Sequence, residues 1–228
     1  REIDSIVPKF KNNAEVLKIY DYHSPEMYRL LIKKSDELGL PTAGHYPSGI
    51  EYKDYLKFPL KSIEHLSKNL FVQFSPGGTN RMNKAYKLWW SSGYDAYMTE
   101  YLNILKEMDT VEFKNFLHQL PDSSFFTPTL RIIDNETILR TNSETLISSS
   151  VRKSCRVRQE LLSQLTPELA SRYQNRMMQI FQIYVQSKLV PLAGTDSSLD
   201  CYTPGESLLE EIKLLHKYGY SRLYAIQT

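Results

Sequence analysis

Short apolar runs alternating with amphipathic stretches dominate the first third of the chain. Residues 1–13 have the spacing of an amphipathic helix and its exit. "AEVLKIYD" (14–21) is a compact β-type run, Val16 to Tyr20, with Lys18 at its centre. "SPEMYRLLIKKSDELG" predicts a helix with both ends marked: Ser24 as N-cap, Pro25 at N1, Glu26 at the positive end of the dipole and Gly39 at the stop. "LPTAGH" then predicts a strand ending on His45. "YKDYLKFP" predicts a short helix, and "KSIEHL" (61–66) a third strand reaching His65. "LFVQFSPGGTN" reads as a loop or a short strand. Its glycines serve a plain turn better than a phosphate cradle, because no P-loop lysine follows.

Residues 81–120 return to a helical period and carry Trp89, Trp90, Tyr94, Tyr97 and Tyr101. A packed helical insertion accounts for these aromatics better than a nucleic-acid stacking platform does, although they follow a strand on the side where a lid would form. Further strands are predicted at Phe125–Leu130 and in "KLVPLAGTDSS" (188–198), which is apolar until it ends on Asp196. Residues 142–187 between them are helical and charged, and "RKSCRVRQE" reads as a solvated face. "GESLLEEIKLLHKYG" predicts a last helix with Ser207 and Glu210 as a capping box and Gly219 at its end. Five strands, all parallel, with helices between them define an α/β chain of βα units.

Composition changes this picture only by exclusion. The 228 residues are 41% hydrophobic and 24% charged, which suits a single globular core. Lys plus Arg is 28 against Asp plus Glu 26, a formal charge of +2. That balance offers no electrostatic case for nucleic acid or an anionic membrane surface. No apolar run approaches the roughly 18 residues of a membrane-spanning helix. Cys155 and Cys201 exclude a disulfide framework and a CxxC metal motif. A homo-oligomer is compatible with these numbers.

Three predicted strands end on residues with metal-ligand or acid–base chemistry: His45, His65 and Asp196. Active sites of (β/α) barrels are built at such C-terminal strand ends. Each residue alone has an ordinary explanation: a core histidine, or an Asp capping the next turn. Lys18 stands among Val16, Leu17 and Ile19, where burial would lower its pKa. Either its stem carries the ammonium to a strand end, or a neutral amine is kept there for chemistry. Tyr46, beside His45, is a candidate for touching a substrate. His23, His118 and His216 have no motif around them and read as surface residues.

Taken in order, "VLKIYDYHSPEMYRLLIKKSDELGLPTAGHYP", "KSIEHL", "PTL" and "LAGTDSS…TPGESLLEEIKLL…YGYSRLYAIQT" resemble the amidohydrolase superfamily, most closely its imidazolonepropionase-like and prolidase-like branch. The resemblance covers nearly the whole chain apart from helical insertions at about 80–122 and 140–187. It implies a (β/α)8 TIM-type barrel and a metal-dependent hydrolase of amide bonds in small-molecule or peptide-like substrates. It further implies Lys18 as a carboxylated lysine bridging two metals, and His45 and His65 as imidazole ligands to Zn²⁺. Asp196 would bind the other metal and take the proton of the attacking water.

The sequence also departs from that pattern. The first strand of the family supplies a His-x-His pair, and none occurs in these residues. Strands one to three and the flanking β-sandwich are not visible. The expectation is therefore an incomplete barrel, residues 1–228 forming one domain from the later part of a longer polypeptide. Two rival readings follow: a mononuclear deaminase or imidazolone-type hydrolase that needs no lysine bridge, or a catalytically incomplete barrel fragment serving as a binding module.

Overall fold

Five short strands lie side by side in chain order, each parallel to the next: β1 (Leu17–Ile19), β2 (Thr42–His45), β3 (Ser62–Glu64), β4 (Phe125–Thr127) and β5 (Val190–Pro191). The computed structural model describes residues 2–11, 13–134, 149–196 and 205–228. Helix α1 (Glu2–Phe10) precedes β1, α2 (Pro25–Leu38) joins β1 to β2, and α3 (Tyr52–Tyr55) joins β2 to β3. Between β3 and β4 run α4 (Lys68–Phe71), α5 (Gly78–Ser92), α6 (Tyr94–Lys106) and α7 (Thr110–Gln119). Helices α8 (Ser149–Ser163) and α9 (Pro167–Val185) precede β5, and α10 (Glu206–Lys217) and α11 (Arg222–Ile226) follow it. Among the described residues, no helix is long and apolar enough to cross a membrane.

Local chemistry explains several of these boundaries. The Ser24 hydroxyl accepts a hydrogen bond from the Met27 N–H, and Gly39 closes α2 at φ +65°. Asp109 caps α7 by accepting from the Val111 and Glu112 N–H groups, and Thr166 caps α9. β4 stops at Thr127, short of Leu130, because Pro128 has no N–H to donate and Thr129 turns to φ +53°. The chain then winds into a 3-10 turn at Leu130–Ile132. "LFVQFSPGGTN" is helical, made of α4, a 3-10 turn at Val72–Phe74 and the start of α5. There a Cβ on Gly78 would meet the Val72 carbonyl oxygen at 1.9 Å, so its glycine serves close backbone packing. The expected capping box of the last long helix is also corrected. Gly205 occupies the N-cap, Ser207 is fully buried in the first turn, and Glu210 pairs with Arg131. Cys201, Pro204 and the start of the 140–187 segment lie outside the described residues.

Register and side-chain alternation divide the sheet into two faces. Ile19, Gly44, Ile63, Phe126 and Pro191 occupy one row across all five strands. Ile19, Ile63 and Phe126 are each 1% exposed, and the Phe126 ring stacks on Tyr184 of α9 at 4.7 Å between centroids. This is the helix-covered face. Lys18, Ala43, His45, Glu64 and Thr127 alternate onto the opposite face. The aromatics of the helical insertion belong to the core: Tyr97 and Tyr101 are buried, Trp89 and Tyr94 pack against them, and Trp90 alone of the five points to solvent.

Gly44 is where the sheet is tightest. Its φ is +152°, and a Cβ there would lie 1.9 Å from the Ile19 carbonyl oxygen. Backbone blocks that space, so no rotamer change relieves it. Gly44→Ala should therefore cost about 3 kcal/mol or more of folding free energy. Urea denaturation followed by circular dichroism measures it, and a loss below about 1 kcal/mol would contradict this packing.

Candidate metal centre

His45 ends β2, and His65 stands one residue beyond β3. Their Nε2 atoms are 3.2 Å apart, with the rings edge to face. Plain strand alternation would send His65 to the helix-covered face, opposite its neighbour Glu64. A backbone φ of +60° prevents this and brings His65 to the same point as His45 and Glu64. Among the described residues, three non-glycines have such left-handed backbones: His65, Thr129 and Asp196. They follow β3, β4 and β5 in turn. Local strain of about 1–3 kcal/mol at each is the kind that accumulates at functional sites.

The far nitrogen of each imidazole has its own partner. The Thr129 hydroxyl is 3.4 Å from the Thr127 carbonyl oxygen, to which it donates, and 2.8 Å from His65 Nδ1, from which it accepts. Asp21 Oδ1 lies 3.6 Å from His45 Nδ1 and is buried with no hydrogen-bond partner, while Asp21 Oδ2 accepts from Asn69. A ring proton on Nδ1, where these oxygens lie, would leave an Nε2 lone pair on each histidine for ligation. The two Nε2 atoms, 3.2 Å apart, share either a proton or a cation. Ligand nitrogens about 2.0–2.1 Å from a tetrahedral zinc ion stand about 3.3 Å apart. The donor set thus fits a divalent cation, and His45, Glu64 and His65 offer ligand atoms all within 4.8 Å of one another.

Electrostatics agree for the histidines and correct the expectation for Lys18. Burial, and then the proximity of His45, hold the His65 pKa below its ordinary value, against the opposing pull of Asp196 and Glu64. His65 is therefore a neutral imidazole near pH 7, as ligation requires. For Lys18, partial burial pulls the pKa down, but the hydrogen bond and charge of Glu64, with Asp196 adding, raise it above the ordinary value. Its ammonium lies 2.8 Å from Glu64 Oε2 on a side chain 38% exposed. The depressed lysine pKa anticipated from the apolar run does not occur, because the strand buries Ile19 and leaves Val16 exposed.

Asp196 Oδ2 is 3.9 Å from His65 Nε2, so the structure brings Lys18, His45, His65 and Asp196 to one place. Tyr46 is placed elsewhere. It is fully buried, donating its hydroxyl to the Ile50 carbonyl oxygen and accepting from Gln73, away from the cleft. A cleft of about 300 Å³ opens over the histidines, with Tyr86, Ile132, Ile133 and Tyr173 as its apolar wall and Lys68 as a cation on its rim. Lys68 donates to the Tyr97 hydroxyl and lies over the rings of Tyr97 and Tyr101. The sequence reading missed Asp21, Glu64 and Thr129. Asp21 was within reach, since it follows a strand end as His45 does. Glu64 was hidden by alternation, which admits only one of two consecutive residues to a face.

Thr129 is itself held by a buried carboxylate. Glu211 of α10 accepts from the Leu130 N–H at 2.8 Å and from the Arg131 N–H at 3.0 Å. Arg131, 2% exposed, also places its Nε 2.9 Å from Glu210.

No family model matches the chain, and no curated protein matches it as a relative. A solved structure, "AH, Bottromycin amidohydrolase", is similar in fold with a TM-score of 0.69 and 20% identity. The likeness covers 99% of this chain and 47% of that one, so this chain spans about half its length. Fold and site thus define an α/β chain with a parallel five-stranded sheet, similar in fold to part of that structure, and with a His-Glu-His group able to hold a metal ion.

Glu211 supplies a pH test of this architecture. Burial pushes its carboxyl up to about 7, against the pull of the two backbone donors and of Arg131. A carboxyl raised in the folded state contributes stability that is complete below about 4.5, its ordinary value, and lost as pH rises through about 7. Between about pH 4.5 and 7 the wild type should lose stability relative to Glu211→Gln in urea denaturation. Parallel pH profiles for the two proteins would remove this titration from the fold.

Proposed function

We propose that the chain is the later part of a (β/α)8 barrel, residues 1–228 in one domain, from a metal-dependent hydrolase of amide bonds. The observation that carries this reading is the pair of imidazole Nε2 atoms 3.2 Å apart at the C-terminal edge of a parallel sheet, with Glu64 within reach and oxygens of Asp21 and Thr129 beside the two Nδ1 atoms. Strand order supports the barrel: five neighbours in strict sequence, all parallel, are one arc of such a cylinder. The half-length fold likeness to an amidohydrolase structure supports it as well.

In this reading His45, His65 and Glu64 hold one Zn²⁺. The ion would supply Lewis acidity, polarising the amide carbonyl and acidifying a water. Asp196, one side-chain length from the histidine pair, accepts the proton of the attacking water and returns it to the leaving nitrogen. Tyr86, Tyr173, Ile132 and Ile133 exclude solvent from one side and take the apolar part of a small-molecule or peptide-like amide. Lys18 decides between two forms of the site. As an ammonium paired with Glu64 it favours a single ion, the mononuclear arrangement of imidazolone-type hydrolases. As a carboxylated lysine it would bridge two.

Zinc stoichiometry and amide turnover of the full polypeptide test the assignment together. Asp196→Asn should retain zinc and lose about 10²–10⁴-fold in kcat; undiminished turnover would remove Asp196 from the chemistry. In the single-ion form Glu64→Gln loses zinc and Lys18→Ala keeps it. In the bridged form Lys18→Ala loses metal that added short carboxylic acids restore.

A further inference from the structure

Thr129 and Glu211 form a connected path to His65 that the ligand set does not explain. Glu211 lies on α10, is fully buried, and spends both carboxylate oxygens on backbone donors, Leu130 N–H to Oε1 and Arg131 N–H to Oε2. Those donors are the first two residues of the 3-10 turn, and Thr129 is its N-cap with φ +53° and ψ +53°. A β-branched residue is costly in that conformation, and the turn that follows must be anchored for it to persist. The same residue carries the hydroxyl 2.8 Å from His65 Nδ1. Arg131 is drawn toward the same helix by Glu210.

We propose that Glu211 is a positioning residue for the metal centre: by clamping the two N–H groups after Thr129, it fixes the hydroxyl that selects the Nδ1–H tautomer of His65. This rests on His65 being a metal ligand as read above. The chemistry demands a carboxyl group. Two converging N–H donors need two acceptor oxygens, and a glutamine offers one oxygen and one NH2 group, whose hydrogens would face a backbone N–H. A loosened turn lets the Thr129 hydroxyl swing away. The His65 proton can then move to Nε2, which removes the lone pair that a cation needs. The helix after β5 thereby governs a histidine that directly follows β3.

The test uses the full polypeptide with ¹⁵N-labelled histidine and two readouts, the ring ¹⁵N shifts of His65 and the zinc Kd by competition with a chromophoric chelator. Glu211→Gln and Thr129→Val should each shift His65 toward the Nε2–H tautomer and raise the zinc Kd about ten- to hundred-fold. The double variant should be no worse than the weaker-binding single one, because both break one path. Thr129→Ser, which keeps the hydroxyl, should restore the wild-type tautomer and Kd. Urea denaturation is run beside these measurements. A Glu211→Gln protein that loses stability but keeps the wild-type His65 shifts and zinc Kd would show a mere brace and overturn the proposal. If Glu211→Gln fails to fold, Glu211→Asp, shorter by one methylene, is read in the same way. If the wild type takes up no zinc, the metal reading fails, and the His65 tautomer alone then decides the role of Glu211.

Discussion

Two imidazoles whose Nε2 atoms face each other at 3.2 Å must share a proton or a cation, and the surrounding structure holds them there. Asp21 lies 3.6 Å from the far nitrogen of His45, and the Thr129 hydroxyl 2.8 Å from that of His65. Burial and the proximity of His45 favour the uncharged form of His65. The sheet contributes by its register, which sets His45 beside Glu64, and by the left-handed backbone of His65, which returns a residue to the face that alternation would deny it. The ligand positions are thus set before any cation arrives, and this is the physical sense in which the site is preorganised.

The fold divides the work between the two sides of one sheet. Ile19, Ile63 and Phe126 bury against the helices and supply the apolar contact that stabilises the strands. Lys18, His45 and Glu64, in the alternate positions, remain available for polar chemistry. The strands are short, two to four residues, so nearly every strand residue is either packing or site. The long excursion between β3 and β4 adds the tyrosine-rich wall: Tyr97 and Tyr101 are core, yet they carry Lys68 at the cleft, while Tyr86 faces the cleft directly. Packing and recognition are thus served by the same helices.

Much of this was legible from residues alone. A helix bounded by Ser24–Pro25 and Gly39 states its own ends, since capping is local. Polar residues after apolar runs marked His45, His65 and Asp196, because strand ends are visible in hydropathy. The misreadings share a cause. The last helix carries a capping-box pattern, but Glu210 turns to a buried arginine far away in sequence. The Tyr46 neighbourhood looked accessible, but its ring packs against Tyr55 in the core. Lys18 looked buried from its neighbours in sequence, but its environment comes from Glu64 on a strand two places away.

The sequence by itself determined what depends on near neighbours: the alternation of strands and helices, their caps, the parallel order, and which titratable residues follow strands. Tertiary structure decided what depends on pairs distant along the chain. It set the protonation of Lys18, the entry of Glu64 and Asp21 into the site, and the tie from Glu211 through the Thr129 turn to His65. Hydropathy and spacing are properties of a segment, whereas a pKa or a tautomer is set by the field of groups that only folding brings within a few ångströms.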